Sequence, residues 1–520
     1  MNDLSSWIET HARFQPGKPA ILYQQETWSY EELDRHIKDL ARALKNSLGA
    51  GRGDRIAYLG LNSPLSIALL FACARLGCIF QPMNWRLAVP EQTYVLRNAS
   101  TKFLICEQEF ASVAEACVVG LSDCALVAGD FSPQSGTDWL RLDDLIAGAV
   151  GSDSNPHVDL ELPLLLVYTS GTTGHPKGAL LKQEALLCNA LNSLHMHEMT
   201  STDLVLTALP LFHVGGLNIQ TTPALYAGAT IVLLPKFDPT QVLEAIKNRQ
   251  PTLLVLIPAT MAAVISHPQW QSTSLDSLRV LTTGSSIVPL GLIEKFHERG
   301  VPVIQVYGST ETAPVAVYQR RQDAFEGLGS VGRPGLHSKI KIVDDDGQDV
   351  SPGKKGELLV KGKNLMYEYW GDPESTCQAI RDGWFCTGDI GYQDEIGFIH
   401  ICDRKKDMII SGGENIYPAE LETLLHEMPG VVEAAVVGRA DDRWGEVAVA
   451  YLVKEAAAEI DIAKVMDYFD GRLARYKHPK EVIFIDQLPR NVMGKILKQD
   501  LRDLMVTSTK ATKPILSESV

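Results

Sequence analysis

Short runs of aliphatic and β-branched residues alternate with longer amphipathic stretches along most of this chain, and that alternation restricts the folds open to it. Ile231–Leu234, Thr252–Ile257, Val301–Val306 and Ile340–Val343 read as strands, and Pro289–Arg299, between the second and third, reads as a helix. Strands separated by helices form parallel or mixed sheets covered by those helices. The two most apolar stretches, Ser63–Met83 and Pro251–Ser266, are interrupted by Arg75 and Pro258. A membrane span needs about 20 unbroken apolar residues, so both read as buried core segments and no integral membrane association is expected.

A second pattern starts near Asp403. Pro418 opens a helix that ends before Gly430, strands follow at Val431–Val437 and Val447–Val453, then a helix over Ile462–Arg475 and a strand at Val482–Ile485. Proline first and glycine after is the expected helix asymmetry. The expectation is therefore an α/β protein: a large N-terminal domain over residues 1–403, of mixed or parallel sheets covered by helices, and a small α+β C-terminal domain over residues 404–520. The charged run Asp403–Asp407 sits at the junction, where a hinge is expected. The Ser/Thr/Lys-rich stretch Thr507–Val520 is expected to be a loose tail.

The formal charge of −15 over 520 residues argues against nonspecific nucleic-acid binding, which requires basic surface. It leaves room for a small polyanion held by local groups. Nine scattered cysteines form neither a CxxC pair nor a zinc spacing, and the first twenty residues lack the basic-then-apolar order of a secretory leader. A reducing, cytoplasmic setting is expected.

Leu164–Ala179, LLLVYTSGTTGHPKGA, carries the chemistry. An apolar strand ends at Thr169 and enters a loop with Ser170, Gly171, Thr172, Thr173, Gly174 and Lys177. Glycines let backbone N–H groups approach an anion, hydroxyls add donors and the lysine adds charge. This is a phosphate cradle, yet the Walker A pattern G-x-x-x-x-G-K-[ST] occurs nowhere in the chain, which disfavours a motor NTPase. Further along, Gly284-Ser285-Ser286 follows a strand-like segment, and Val306-Tyr-Gly-Ser-Thr-Glu-Thr312 offers an aromatic face (Tyr307), a hydroxyl (Thr310) and a hard oxygen for Mg²⁺ (Glu311). Trp384–Asp389, Asp403–Glu422 and Leu488–Lys498 complete an ordered series.

The series resembles the acyl-adenylate-forming superfamily, which includes acyl-CoA synthetases, over about residues 5–503. The long match at SGGENIYP is most similar to bacterial aryl-CoA and medium-chain fatty-acyl-CoA ligases. The resemblance implies that residues 169–174, Lys177, Gly284, Ser285, Ser286, Tyr307, Gly308 and Ser309 bind ATP or AMP, with Asp389 and Arg404 on the ribose. It assigns Lys495, Thr310, Glu311 and His213 to catalysis, with Mg²⁺ at Glu311, and makes Lys406 the hinge of a mobile C-terminal domain. Gly412, Gly413 and Trp444 would then meet coenzyme A, with Tyr476 and His478 as weaker candidates.

The chemistry implied is attack of a carboxylate on the α-phosphorus of ATP, release of pyrophosphate, and transfer of the acyl group from AMP to a thiol. Pro210–Leu217, with His213, resembles the mouth of the acid pocket, and its glycines are expected to leave volume behind the histidine. No nearby charge is in place to pair a second carboxylate or an α-amino group, so an apolar monocarboxylic acid is expected. The expected acceptor is free coenzyme A, with the phosphopantetheine of a carrier protein as the alternative. A homodimer is the assembly considered.

Overall fold

The most apolar stretch folds as a buried helix, Pro64–Leu76, for local reasons. Ser63 accepts the Ser66 N–H, Pro64 occupies the first turn, and Gly77 closes the helix at φ 75°. Pro258 likewise starts the helix Pro258–Ile265, so the strand before it is shortened to Leu253–Val255. Among the described residues no helix is long and apolar enough to cross a membrane. The computed structural model describes residues 3–121, 123–169, 176–285, 288–411, 414–441, 444–455, 458–470, 472–473, 475–491 and 494–510.

The chain divides into two units. The first is Met1–Lys341, Leu359–Cys386 and Ile396–Ile399; the second is Ile342–Leu358, Thr387–Glu395 and His400–Val520. The strands Ser338–Val343, Gly356–Gly362, Trp384–Gln393 and Ile399–Arg404 are cut by this division and give residues to both.

The first unit holds two large sheets. A nine-stranded sheet runs in the order Arg333–Pro334, Val317–Tyr318, Val303–Tyr307, Val280–Gly284, Leu253–Val255, Leu204–Thr207, Thr230–Leu233, Pro19–Tyr23, Glu26–Ser29. From Val303–Tyr307 to Pro19–Tyr23 the pairing is parallel. An eight-stranded sheet contains Arg55–Leu59, Ile79–Pro82, Pro163–Thr169 and Lys177–Lys182, with Glu368–Tyr369 at its edge. One hydrophobic cluster joins side chains of both sheets (Ile21, Val205, Ile231; Ile56, Phe80, Leu165) to the helices Pro64–Leu76 and Gln183–His197. A second lies under Pro239–Arg249, Pro258–Ile265 and Leu290–His297.

The second unit is built on the antiparallel pair Val431–Asp441 and Gly445–Lys454, with Glu481–Phe484 parallel to the latter. The helices Pro418–Glu427 and Ile462–Phe469 contribute Leu421, Leu425, Val465 and Phe469 to one core. Helix Lys498–Lys510 places Leu501 and Met505 in another with Ala435, Val437 and Tyr451. Two expectations change here. The helix read as Ile462–Arg475 stops at Phe469, because Asp470 adopts extended backbone, and a separate short turn spans Arg475–Lys477. The polar tail is helical through Lys510, because Leu501 and Met505 anchor its start against the strands; residues 511–520 lie outside the described residues.

Candidate active site

Parallel strands put their carboxyl ends along one edge of a sheet, and ligands of open α/β sheets bind outside that edge. In the nine-stranded sheet Gly284 pairs with Val306, so Gly284-Ser285 and Tyr307–Glu311 leave adjacent strand ends side by side. Ser285 holds φ 76°, a left-handed conformation uncommon for serine. Thr310 is buried, and the turn beyond it is closed by the Ser309 N–H donating to Thr312 Oγ1 at 2.8 Å. Ser309 Oγ is itself buried and has no hydrogen-bond partner among the described residues. A buried orphan hydroxyl at a strand end is a position a polar ligand atom can satisfy.

The strands on either side of the glycine-rich segment are paired, Thr169 with Lys177. Ser170, Gly171, Thr172, Thr173 and Gly174 lie outside the described residues, as do Ser286, Gly412 and Gly413. Lys177 Nζ donates to Ser375 Oγ at 2.6 Å, lies 3.8 Å from Asp372, and sits 5.4 Å from the centroid of the Tyr369 ring. The Tyr369 hydroxyl donates to Glu311 Oε1 at 2.8 Å. Lys177 and Glu311 thus share one tyrosine. Among the described residues no cluster of three or more His, Cys, Asp or Glu could hold a metal. A lone carboxylate nevertheless suits Mg²⁺, which commonly binds one or two carboxylates together with substrate phosphates and water.

His213 follows the strand Leu204–Thr207, and its Nδ1 accepts the Gly215 N–H at 3.0 Å. Loss of water pushes its imidazole down to about 4, against the opposing charge of Glu311. At neutral pH it is uncharged with the proton on Nε2. A Cβ on Gly216 would stand 2.2 Å from Pro210 O, so this glycine serves close backbone approach.

In the second unit Asp389 is buried and meets Arg404 Nε at 2.6 Å. Lys406 is exposed between two tethered aspartates. Asp403 accepts N–H groups from Arg404 at 2.7 Å and from Ala419 at 2.8 Å, and Asp407 pairs with Arg502 at 2.8 Å. Lys495 sits on a turn that Gly494 makes at φ 78°, closed by its own N–H to Asn491 Oδ1 at 2.9 Å and by the Arg490–Ile496 bridge. Its side chain keeps solvent contact, yet surrounding protein removes water and pushes its ammonium down. Arg404 and Lys406 act in the same direction, Asp389 and Asp407 against it. Asp389, Arg404, Lys406 and Lys495 are therefore electrostatic neighbours. Trp444 is 41% exposed beside the link between the two long strands, and Tyr476 is also exposed. His478 is buried against Phe469 and bonds Leu473 O at 3.1 Å, so it packs.

Three residues at the site carry no motif in the sequence reading: Tyr369, Asp372 and Ser375. Asp372-Pro373 does signal a helix start, and Asp372 accepts the Ser375 N–H at 2.9 Å. Nothing local signals the bond to Lys177, which spans 198 residues of sequence.

Comparison with known proteins shows the family to which the chain belongs. The family described as AMP-binding enzyme matches residues 8–370, and the AMP-binding enzyme C-terminal domain matches residues 420–495. An indoleacetate–CoA ligase of Aromatoleum aromaticum is 51% identical over 98% of this chain and 99% of its own. A feruloyl-CoA synthase of an Amycolatopsis species is 40% identical over 96% and 98%. Among solved structures, the o-succinylbenzoate CoA synthetase of Bacillus subtilis, in complex with its acyl-adenylate, superposes with a TM-score of 0.85 at 32% identity, covering 97% of this chain and 99% of that one.

Proposed function

Because this chain belongs to the AMP-binding enzyme family and is an acyl-CoA synthetase, we propose that the acid it activates is an apolar monocarboxylate, aromatic or arylalkanoic before medium-chain aliphatic. The observation that carries the site reading is the joining of Lys177 and Glu311 through Tyr369 beside the strand ends. The named acids of the two relatives, indoleacetate and ferulate, support the aromatic side of the choice. His213 supports a single carboxylate: a neutral imidazole donating from Nε2 hydrogen-bonds one carboxylate and offers no cation to a second.

A carboxylate resists thiol attack because its leaving group would be oxide. In the first step one of its oxygens attacks the α-phosphorus of ATP, the bond to the bridging oxygen breaks, and pyrophosphate leaves. Both reactants are anionic, so the enzyme's contribution is positioning and charge stabilisation. Lys177 and the loop at 170–174 hold the β- and γ-phosphates, and Tyr307 and Ser285 flank the purine. Asp389 and Arg404 take the ribose. Lys495 bridges the incoming carboxylate and the α-phosphate. Mg²⁺, when bound at Glu311, neutralises charge on the leaving pyrophosphate. In the second step the thiol of coenzyme A attacks the acyl carbonyl, the bond to AMP breaks, and the thiol proton passes to solvent. Residues 404–520 act as the mobile domain of this step, turning at Lys406, with Gly412, Gly413 and Trp444 toward coenzyme A. None of the described cysteines forms a disulfide, which supports a reducing, cytoplasmic setting.

The test is AMP release with coenzyme A across benzoic, cinnamic, arylacetic and aliphatic monocarboxylates, dicarboxylates and amino acids. The aromatic monocarboxylates are expected to turn over best. Highest activity on a dicarboxylate or an amino acid overturns the acid assignment, and transfer to a carrier protein but never to free coenzyme A overturns the acceptor.

A further inference from the structure

We propose that Tyr369 is a positioning residue of the triphosphate site, a single side chain that sets the lysine meant for phosphate against the carboxylate meant for the metal. The inference rests on the adenylation reading above. The Tyr369 hydroxyl holds Glu311 Oε1 at 2.8 Å, and Lys177 Nζ lies 5.4 Å from its ring centroid. Both contacts require the tyrosine to be fixed, and it is. Its strand pairs with Lys177–Lys182 in the register Tyr369–Ala179 and Glu368–Leu180. Its N–H donates to Thr376 Oγ1 at 2.9 Å, and that hydroxyl donates to Asp372 O at 2.7 Å. Asp372 in turn caps the helix Pro373–Ala379 through the Ser375 N–H. Strand, cap and helix form one braced segment whose anchor points are Lys177 and Glu311.

The chemistry follows from the two halves of the side chain. A carboxylate whose Oε1 accepts a hydroxyl proton presents Oε2 in a set direction, and such outer partners of a ligating group tune metal affinity. An ammonium near an aromatic ring is stabilised without being neutralised. The other partners of Lys177 are weak: a serine hydroxyl, and Asp372 at 3.8 Å with a side chain 37% exposed. Phosphate oxygens can therefore replace them at small cost while the ring keeps the lysine in place.

Tyr369→Phe removes the hydroxyl and keeps the ring; Tyr369→Leu removes both. Mn²⁺ is the metal probe, its binding to the full-length protein with ATP followed by electron paramagnetic resonance. With Tyr369→Phe, Mn²⁺ affinity is expected to fall about tenfold, and the Mg²⁺ concentration for half-maximal pyrophosphate release to rise by a similar factor. ATP binding without metal and thioester formation from supplied acyl-AMP should stay at wild-type values. Tyr369→Leu should additionally weaken metal-free ATP binding by about two- to fivefold. In a cycle with Glu311→Gln, the Mn²⁺ losses should fail to add, since the tyrosine acts through that carboxylate. Wild-type Mn²⁺ affinity in Tyr369→Phe, or additive losses in the cycle, overturns the proposal. A wild-type protein that binds Mn²⁺ and ATP but releases no pyrophosphate with any acid sinks the adenylation reading instead.

Discussion

The two lysines that we propose act on one polyphosphate sit in opposite surroundings. Lys177 opens a paired strand, donates to Ser375 and rests near an aspartate and an aromatic ring. Lys495 sits on a glycine turn in the other unit, where loss of water first, and Arg404 and Lys406 after it, push its ammonium down while Asp389 and Asp407 oppose them. A lysine already partnered gains only the difference between old and new partners when phosphate arrives. A lysine stripped of water, with cations and carboxylates both about it, has more to gain from a phosphate oxygen. Only interactions stronger in the transition state accelerate a step, so removing each lysine in turn tests whether the two arrangements differ in that respect.

The sharpest way to break this contrast is to remove Lys495. Lys495→Ala is expected to slow pyrophosphate release by about 10²–10³-fold, while thioester formation from supplied acyl-AMP is nearly unchanged. Equal damage to both half-reactions would show that the lysine has no step-specific role.

Two buried groups, one in each unit, answer acid in opposite ways. In the first, burial pushes His197 down to about 4 from an ordinary 6.5, with Ser193 O and Asp203 opposing and Arg279 assisting. Its neutral form is favoured on folding, so its stabilisation is complete above about pH 6.5 and is lost as pH falls toward 4, on the order of 3 kcal/mol. In the second, burial raises Asp403 despite Lys498 nearby, so its contribution runs the other way and improves as acid is added. Urea unfolding monitored in the first unit should weaken over pH 6.5 to 4, with a smaller slope in His197→Asn. Identical slopes in wild type and variant would remove His197 from the account.

The smallest effect belongs to the preorganised lysine. Lys177→Ala should raise KM for ATP by about tenfold with a lesser change in kcat, as expected when binding is lost in ground and transition states alike. A kcat loss matching that of Lys495→Ala would erase the distinction between the two.

Much of this was legible along the chain. The strand after Pro163, the Pro418 helix and the strands at 431 and 447 follow from composition and punctuation, because helix starts and apolar periodicity are local properties. Helix ends were less legible: Asp470 ends a helix that its pattern would continue to Arg475. At Gly216 the position a Cβ would take is held by the carbonyl of Pro210, and a glycine alone does not say whether side chain or backbone will use its space.

The sequence by itself determined the kind of reaction through its resemblance to a family, because the glycine-rich loop, the Tyr307–Glu311 segment and the lysine turn are each continuous strings that carry that resemblance. Only tertiary structure decided who holds those groups. Tyr369 reaches Glu311 across 58 residues and Lys177 reaches Ser375 across 198. His197 is kept neutral by burial beside Thr282, 85 residues away. Such partners are chosen by strand pairing and burial, which bring distant residues together at angles no local pattern encodes.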